Sequence, residues 1–229
     1  MAAVPLRPDA SGRVRDLASR VPEKSRGKAL ATQGWDRYSK GDLEGAEKLL
    51  SQATAEPGAA PWVFYALGYA ELGLGHLGKA IQSWERVRAA VPEFNPVYLD
   101  LADACLQSND PGRAIEVLRD GERRWPLDTE ILNALGTVQV QRGSLDDALD
   151  SFGRATKARP NEALAYFNLA RTYELRYYRM RRFSQKEARW VANPADVRGA
   201  IENYQRYVKL GGPYEEQARL ALERLQWVK

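Results

Sequence analysis

The sequence predicts an all-α chain: a solenoid of about five helix–turn–helix repeats, with a capping helix at each end. Three observations lead there. Large, small and proline positions recur every 34 residues, with starts at 27, 61, 95, 129 and 163. Within each period the apolar residues fall at the i, i+3, i+4 offsets of a helix face, and no alternating strand pattern rises above them. The composition, 44% hydrophobic and 28% charged over 229 residues, is that of an ordered chain with an ordinary core.

The clearest period is Pro61 to Phe94. Phe64, Leu67 and Gly68 share one face of a first helix. Gly68 has no side chain, so a second helix can approach there. Ala80 is the small residue of that second helix, Trp84 follows one turn later on the same face, and Pro92 stops the chain. The small first-helix position recurs as Gly34, Gly68, Ala102, Gly136 and Ala170. The second-helix alanine recurs as Ala46, Ala80, Ala114 and Ala148, followed by Leu50, Trp84, Leu118 and Phe152. One such pair cannot bury its apolar face alone, so neighbours must stack.

Before the first repeat, residues 1–12 are rich in proline, alanine and small polar groups and are expected to fray. Val14, Leu17, Ala18 and Val21 then predict a short helix covering the open face of the first repeat, so that 1–26 is a flexible start plus a cap. The repeats occupy 27–212. In the fifth, the second-helix signature Ala200-x-x-x-Tyr204 arrives late, after an insert at about 176–194. Within it, Ser184-x-x-Glu187 is a capping-box pattern that predicts a short helix over about 185–191. Residues 213–229 form the closing helix, with Tyr214, Ala218, Ala221, Leu222 and Leu225 on its apolar stripe.

This spacing resembles the tetratricopeptide repeat, a helix-turn-helix unit of the same length, over roughly residues 27–210. The resemblance implies a right-handed superhelix whose first helices line a concave groove. It also implies a non-catalytic adaptor that holds a peptide or protein segment there; similar bacterial proteins act in the assembly of envelope or multiprotein complexes. Groove positions implied in this way include Trp35, Tyr38, Trp62, Tyr65, Tyr69, Leu72, Leu99, Asn133, Phe167 and Arg171. The aromatic members are not required by the repeat skeleton. Packing against the N-terminal helix or a neighbouring repeat would explain them, as would an open peptide-binding face, since Trp and Tyr dominate interface hot spots. The open, partner-binding face is the expectation adopted. The carboxylate clamp of one well-known subclass is absent, because Ala31, Trp35, Ala66, Pro96 and Asp100 stand where it needs Lys, Asn and Arg.

Other chemistry fares worse. Gly73-Leu-Gly75-His-Leu-Gly78 matches a dinucleotide fingerprint, and Gly73 to Lys79 matches a phosphate loop. Both mechanisms need a strand before the loop, and here a helix precedes it; Ala80 also replaces the hydroxyl residue that would ligate magnesium. His76 is the lone histidine, with no second ligand at metal spacing. Cys105, the lone cysteine, lies on a helical packing face and rules out an internal disulfide. The expectation is no catalysis, no cofactor and no metal.

Between Arg171 and Trp190 stand seven cations (Arg171, Arg176, Arg179, Arg181, Arg182, Lys186 and Arg189) against Glu174 and Glu187, interleaved with Tyr177, Tyr178, Phe183 and Trp190. Such a patch can bind nucleic acid or an anionic surface, and that is the alternative function; ordinary solvated charge is the bland one. A weaker alternative is a regulatory repeat domain belonging to a larger enzyme. No apolar run reaches the length of a membrane span, and no signal peptide is visible. A monomer in the cytoplasm is expected, or in the periplasm or tethered to a membrane if a leader has been removed.

Overall fold

The computed structural model describes residues 10–22, 24–186 and 188–227. They form twelve helices and one two-stranded hairpin, and the helices follow one another in packed pairs. Two compact units are present, one containing the helices up to Arg124 and the other those from Trp125 onward.

The first unit opens with α1 (Ala10–Arg20) and continues with three pairs: α2 (Lys28–Ser39) with α3 (Leu43–Thr54), α4 (Pro61–Gly73) with α5 (Leu77–Ala90), and α6 (Pro96–Gln107) with α7 (Pro111–Arg124). Proline opens α4, α6 and α7, where its missing N–H costs nothing and its fixed φ is already helical. Asp42 caps α3 by accepting from Gly45 N at 2.9 Å, and Asp110 does the same for Arg113 N at 2.9 Å. The pairs close where a small residue meets a large one. A Cβ on Gly34 would approach Leu50 Cγ to 2.7 Å, and one on Gly68 would lie inside the indole of Trp84. Trp84 is fully buried, and its indole N–H donates to the Tyr65 carbonyl at 3.1 Å, which satisfies the one polar atom of that ring.

The second unit holds α8 (Thr129–Arg142) with α9 (Leu145–Ala158), then α10 (Ala163–Met180) with α11 (Pro194–Leu210), and finally α12 (Glu215–Leu225). Gly136 meets Phe152 as Gly68 meets Trp84, with 2.7 Å to the ring from a would-be Cβ. Asp128 caps α8 and Asn193 caps α11. Ala200 and Tyr204 of α11 are buried against α10, so the delayed signature still makes the second helix of its pair. α12 buries Ala218, Ala221 and Leu225 on α11.

Three sequence expectations are corrected. Residues 1–9 lie outside the described residues, but Ala10 to Gly12 already belong to α1 and are helical. α1 does not cover the first repeat; it rests on α4 and reaches α6, the first helices of the second and third repeats. No helix spans 185–191. Instead β1 (Arg182–Ser184) pairs antiparallel with β2 (Arg189–Val191), in the register Arg182–Val191, Phe183–Trp190, Ser184–Arg189. Seven residues are too few to hold a free-standing helix, whereas Phe183 and Trp190 gain a cross-strand ring contact at 5.8 Å in the hairpin. Glu187, the other half of the capping-box pattern, lies outside the described residues.

Ala80 and Ala148 are completely buried at their helix crossings. Ala80→Leu and Ala148→Leu should each overpack the crossing and cost roughly 1–3 kcal/mol. Thermal melts followed by circular dichroism measure this, and unshifted melts in both variants would contradict the assigned crossings.

Candidate functional site

α4 reads PWVFYALGYAELG, apolar at almost every position, and it is buried on more than one side. One face packs on α3 and α5, and another receives α1. A helix that is apolar all round has to be covered all round. α1 supplies the cover with Val14 and Leu17, both buried, and with Arg13.

Arg13 makes the contact specific. Its Nη1 donates to Asp100 Oδ1 at 2.6 Å, with both side chains buried. The other carboxylate oxygen accepts from two phenols: Tyr69 Oη at 2.7 Å and Tyr65 Oη. The two hydroxyls lie 3.1 Å apart. Asp100 is thus held by three donors from α1 and α4 while it sits on α6. From sequence Asp100 entered only as a residue that breaks the carboxylate clamp, and Arg13 was not singled out; their pairing is seen only in the structure.

The electrostatics of this cluster are those of buried, mutually dependent groups. Burial works against the charge of Arg13, but the Asp100 carboxylate and the two phenols outweigh it and hold the guanidinium firmly protonated. Burial, then the Asp100 charge, pushes Tyr65 and Tyr69 well above the ordinary phenol range, so both remain hydrogen-bond donors. The buried Nε of Arg13 has no hydrogen-bond partner among the described residues.

The remaining residues of the expected groove are placed as follows. Trp35 and Tyr38 are half-buried and stacked on each other at 4.7 Å, with Tyr38 6.3 Å from Tyr69. Leu72 and Leu99 are half-buried. Trp62, Tyr65 and Tyr69 are buried, at 8%, 0% and 8% exposure. The open aromatic face expected from sequence is therefore corrected: α1 occupies it. In the second unit Asn133 is buried. It donates to the Thr129 carbonyl at 2.8 Å and accepts from Asn168 at 3.4 Å, so it serves a polar network within the unit. Phe167 is also buried, stacked on Tyr214 at 4.8 Å within the core built by α10, α11 and α12. Arg171 lies over the Phe167 ring.

The basic stretch divides in two. Arg176 is structural: it bridges Asp146 of α9 and Asp196 of α11, with Nη2 2.5 Å from Asp196. Arg179, Arg181, Arg182 and Lys186 are exposed, and no described carboxylate pairs with them. Arg189 lies in β2 opposite Ser184.

The glycine-rich loop is an interhelical turn. Gly75 has φ +75°, which a glycine adopts without strain, and the His76 amide returns to the Glu71 carbonyl at 2.8 Å. Lys79 and His76 both reach Glu47 of the preceding repeat, at 2.9 and 3.0 Å. The lysine of the phosphate-loop match thus ties two repeats together. Cys105 is buried, and burial pushes its thiol up to about 11. Among the described residues no group of three His, Cys, Asp or Glu side chains is arranged to hold a metal, and no helix is long and apolar enough to cross a membrane.

Repeated helix pairs, small-to-large crossings and interhelical turns define a helical-repeat scaffold. The tetratricopeptide-repeat family matches residues 65–129 and 133–176, and the chain carries tetratricopeptide repeats. Solved structures agree on the fold. A MamA protein aligns with TM-score 0.63 at 18% identity, over 84% of this chain and 94% of its own. YrrB, described as a tetratricopeptide-repeat protein with an unusual peptide-binding site, aligns with TM-score 0.61 at 19% identity, over 94% of this chain and all of its own. TTC0263, a thermophilic tetratricopeptide-repeat protein of Thermus thermophilus, aligns with TM-score 0.53 at 19% identity, over 88% of this chain and all of its own. Among curated proteins no match is found. Scaffolds of this kind serve protein interaction in general, with protein or peptide partners.

Asp100→Asn should leave Arg13 buried without a counter-charge and cost about 3–5 kcal/mol in the first unit. Hydrogen exchange should report it as faster exchange of the amides of α1, with α8–α12 unchanged. The double variant Arg13→Met, Asp100→Leu should recover part of the loss. Equal and additive effects of the two sites would contradict the pairing.

Proposed function

We propose that the first unit is a docking module for an amphipathic helix, and that Asp100, Tyr65 and Tyr69 read an arginine on that helix. The reading rests on α1, which already lies across the first helices of the second and third repeats with Arg13 on Asp100. An amphipathic helix laid in an apolar groove is a recurrent recognition mode. The chemistry selects for it: two apolar residues one turn apart, matching Val14 and Leu17, and a guanidinium to meet a carboxylate that two phenols hold in place.

α1 is a replaceable occupant rather than the best one. It leaves the buried Arg13 Nε unsatisfied, and an unpaired buried donor costs about 1–3 kcal/mol. A partner helix that satisfies all of its guanidinium N–H groups holds that advantage. α1, being tethered, has the advantage of a high local concentration, on the order of millimolar for a short linker. The protein thus acts as a non-catalytic adaptor whose first-unit face is guarded by its own N-terminal helix. YrrB, with its peptide-binding site on the same fold, is consistent with a peptide ligand.

A labelled peptide of residues 10–22 tests this by fluorescence polarisation. It should bind the full chain weakly and bind the Leu17→Ala variant, whose own α1 is loosened, at least tenfold more tightly. The same peptide with methionine in place of Arg13 alone should lose most of that binding. Equal binding of both peptides to the variant would remove the arginine-reading role.

A further inference from the structure

The hairpin of β1 and β2 exposes Arg182, Phe183 and Trp190, while Ser184 and Val191 are half-buried. Phe183 and Trp190 face each other across the strands, 52% and 58% exposed, with Met180 beside them in sequence at 60%. Each of these three large apolar side chains is more than half exposed. Around them Arg179, Arg182 and Lys186 have no carboxylate partner among the described residues, while Arg176 nearby is fully engaged with Asp146 and Asp196. Stability of the second unit explains Arg176; it does not explain the other three cations or the exposed rings.

We propose that this hairpin docks the protein on an anionic lipid surface. Charge complementarity selects that occupant, since exposed Lys and Arg next to aromatic and aliphatic side chains match a headgroup layer over its acyl boundary. Tryptophan in particular favours that interface. The ring geometry favours lipid over nucleic acid. Base recognition needs free ring faces on which to stack. Here the Arg181 guanidinium lies 5.5 Å from the Trp190 ring centroid and 5.4 Å from that of Tyr178, so it takes one face of each. Phe183 meets Trp190 edge-on, at 73°. What remains outermost is hydrocarbon flanked by charge.

Co-sedimentation of the full chain with vesicles tests the proposal. The chain should sediment with vesicles of phosphatidylcholine containing about one third phosphatidylglycerol, and should remain in solution with phosphatidylcholine alone. Arg179→Gln, Arg182→Gln and Lys186→Gln together should lower the partition coefficient about a hundredfold, roughly fivefold per charge. These side chains are exposed and pair with no described carboxylate, so the melt should not move. Phe183→Ala with Trp190→Ala should lower it comparably while leaving the charges in place. No sedimentation with anionic vesicles overturns the proposal, as does sedimentation that both variants retain. Binding to a single-stranded oligonucleotide, lost in the triple variant, together with no vesicle binding, would assign the hairpin to nucleic acid instead. Because the peptide assay above reads the first unit and this one reads the hairpin, either result can fail without the other.

Discussion

Every helix pair in this chain depends on one steric constraint: two helices cross closely only where a residue with little or no side chain faces a large one. Gly68 under Trp84 and Gly136 under Phe152 are the sharpest cases, because any Cβ there would collide with the ring. The crossing fixes which residues of the first helix point toward its partner, and hence which point the other way. Tyr65 and Tyr69 sit where they do because Gly68 is committed to Trp84. Both rings contact Trp84, at 6.2 and 5.3 Å, and the Tyr65 carbonyl accepts the Trp84 indole N–H, so the crossing and the tyrosine pair form one packed group.

The tyrosine pair is also where electrostatics enters. A carboxylate buried beside two phenols is costly to dehydrate unless a cation joins it. Arg13 is that cation, and it arrives from a helix remote in sequence. The arrangement is specific: it orients α1 by one short ion pair while two apolar residues supply the burial. The Arg13 Nε has no hydrogen-bond partner among the described residues. In the core of the α4–α5 pair, by contrast, Trp84 and Val87 are fully buried and the indole N–H is satisfied by the Tyr65 carbonyl.

The second unit uses its groove positions differently. Asn133 and Phe167 are absorbed into the unit itself, the first by a hydrogen-bond network and the second by stacking on Tyr214 ahead of α12. Its unspent surface is the hairpin between α10 and α11, where aromatic rings and cations without a described carboxylate partner remain exposed. The lengthened pair is locked beneath it by Arg176 and by Tyr204, whose hydroxyl donates to Glu174 at 2.8 Å.

The sequence by itself determined the repeat. The spacing of Gly68, Ala80 and Trp84, and its recurrence, specify helix pairs because such spacing is a local property of 3.6-residue periodicity and side-chain size. It also placed the late second helix at Ala200 and Tyr204 and identified the glycine loop as a turn. The aromatic residues of α4 were legible too, but they were expected to line an open face, whereas Trp62, Tyr65 and Tyr69 are buried. What covers them was not legible, since Arg13 and Asp100 are far apart in the chain and either alone is an ordinary surface residue type. The hairpin was missed for a related reason. Ser184 and Glu187 carry a helix signal of a few tenths to about one kcal/mol, while the pairing of Phe183 with Trp190 exists only once the chain has doubled back. Local pattern decides elements whose contacts are near in sequence. Only tertiary structure decides which distant charge neutralises a buried carboxylate, and whether an aromatic stripe is left open or filled.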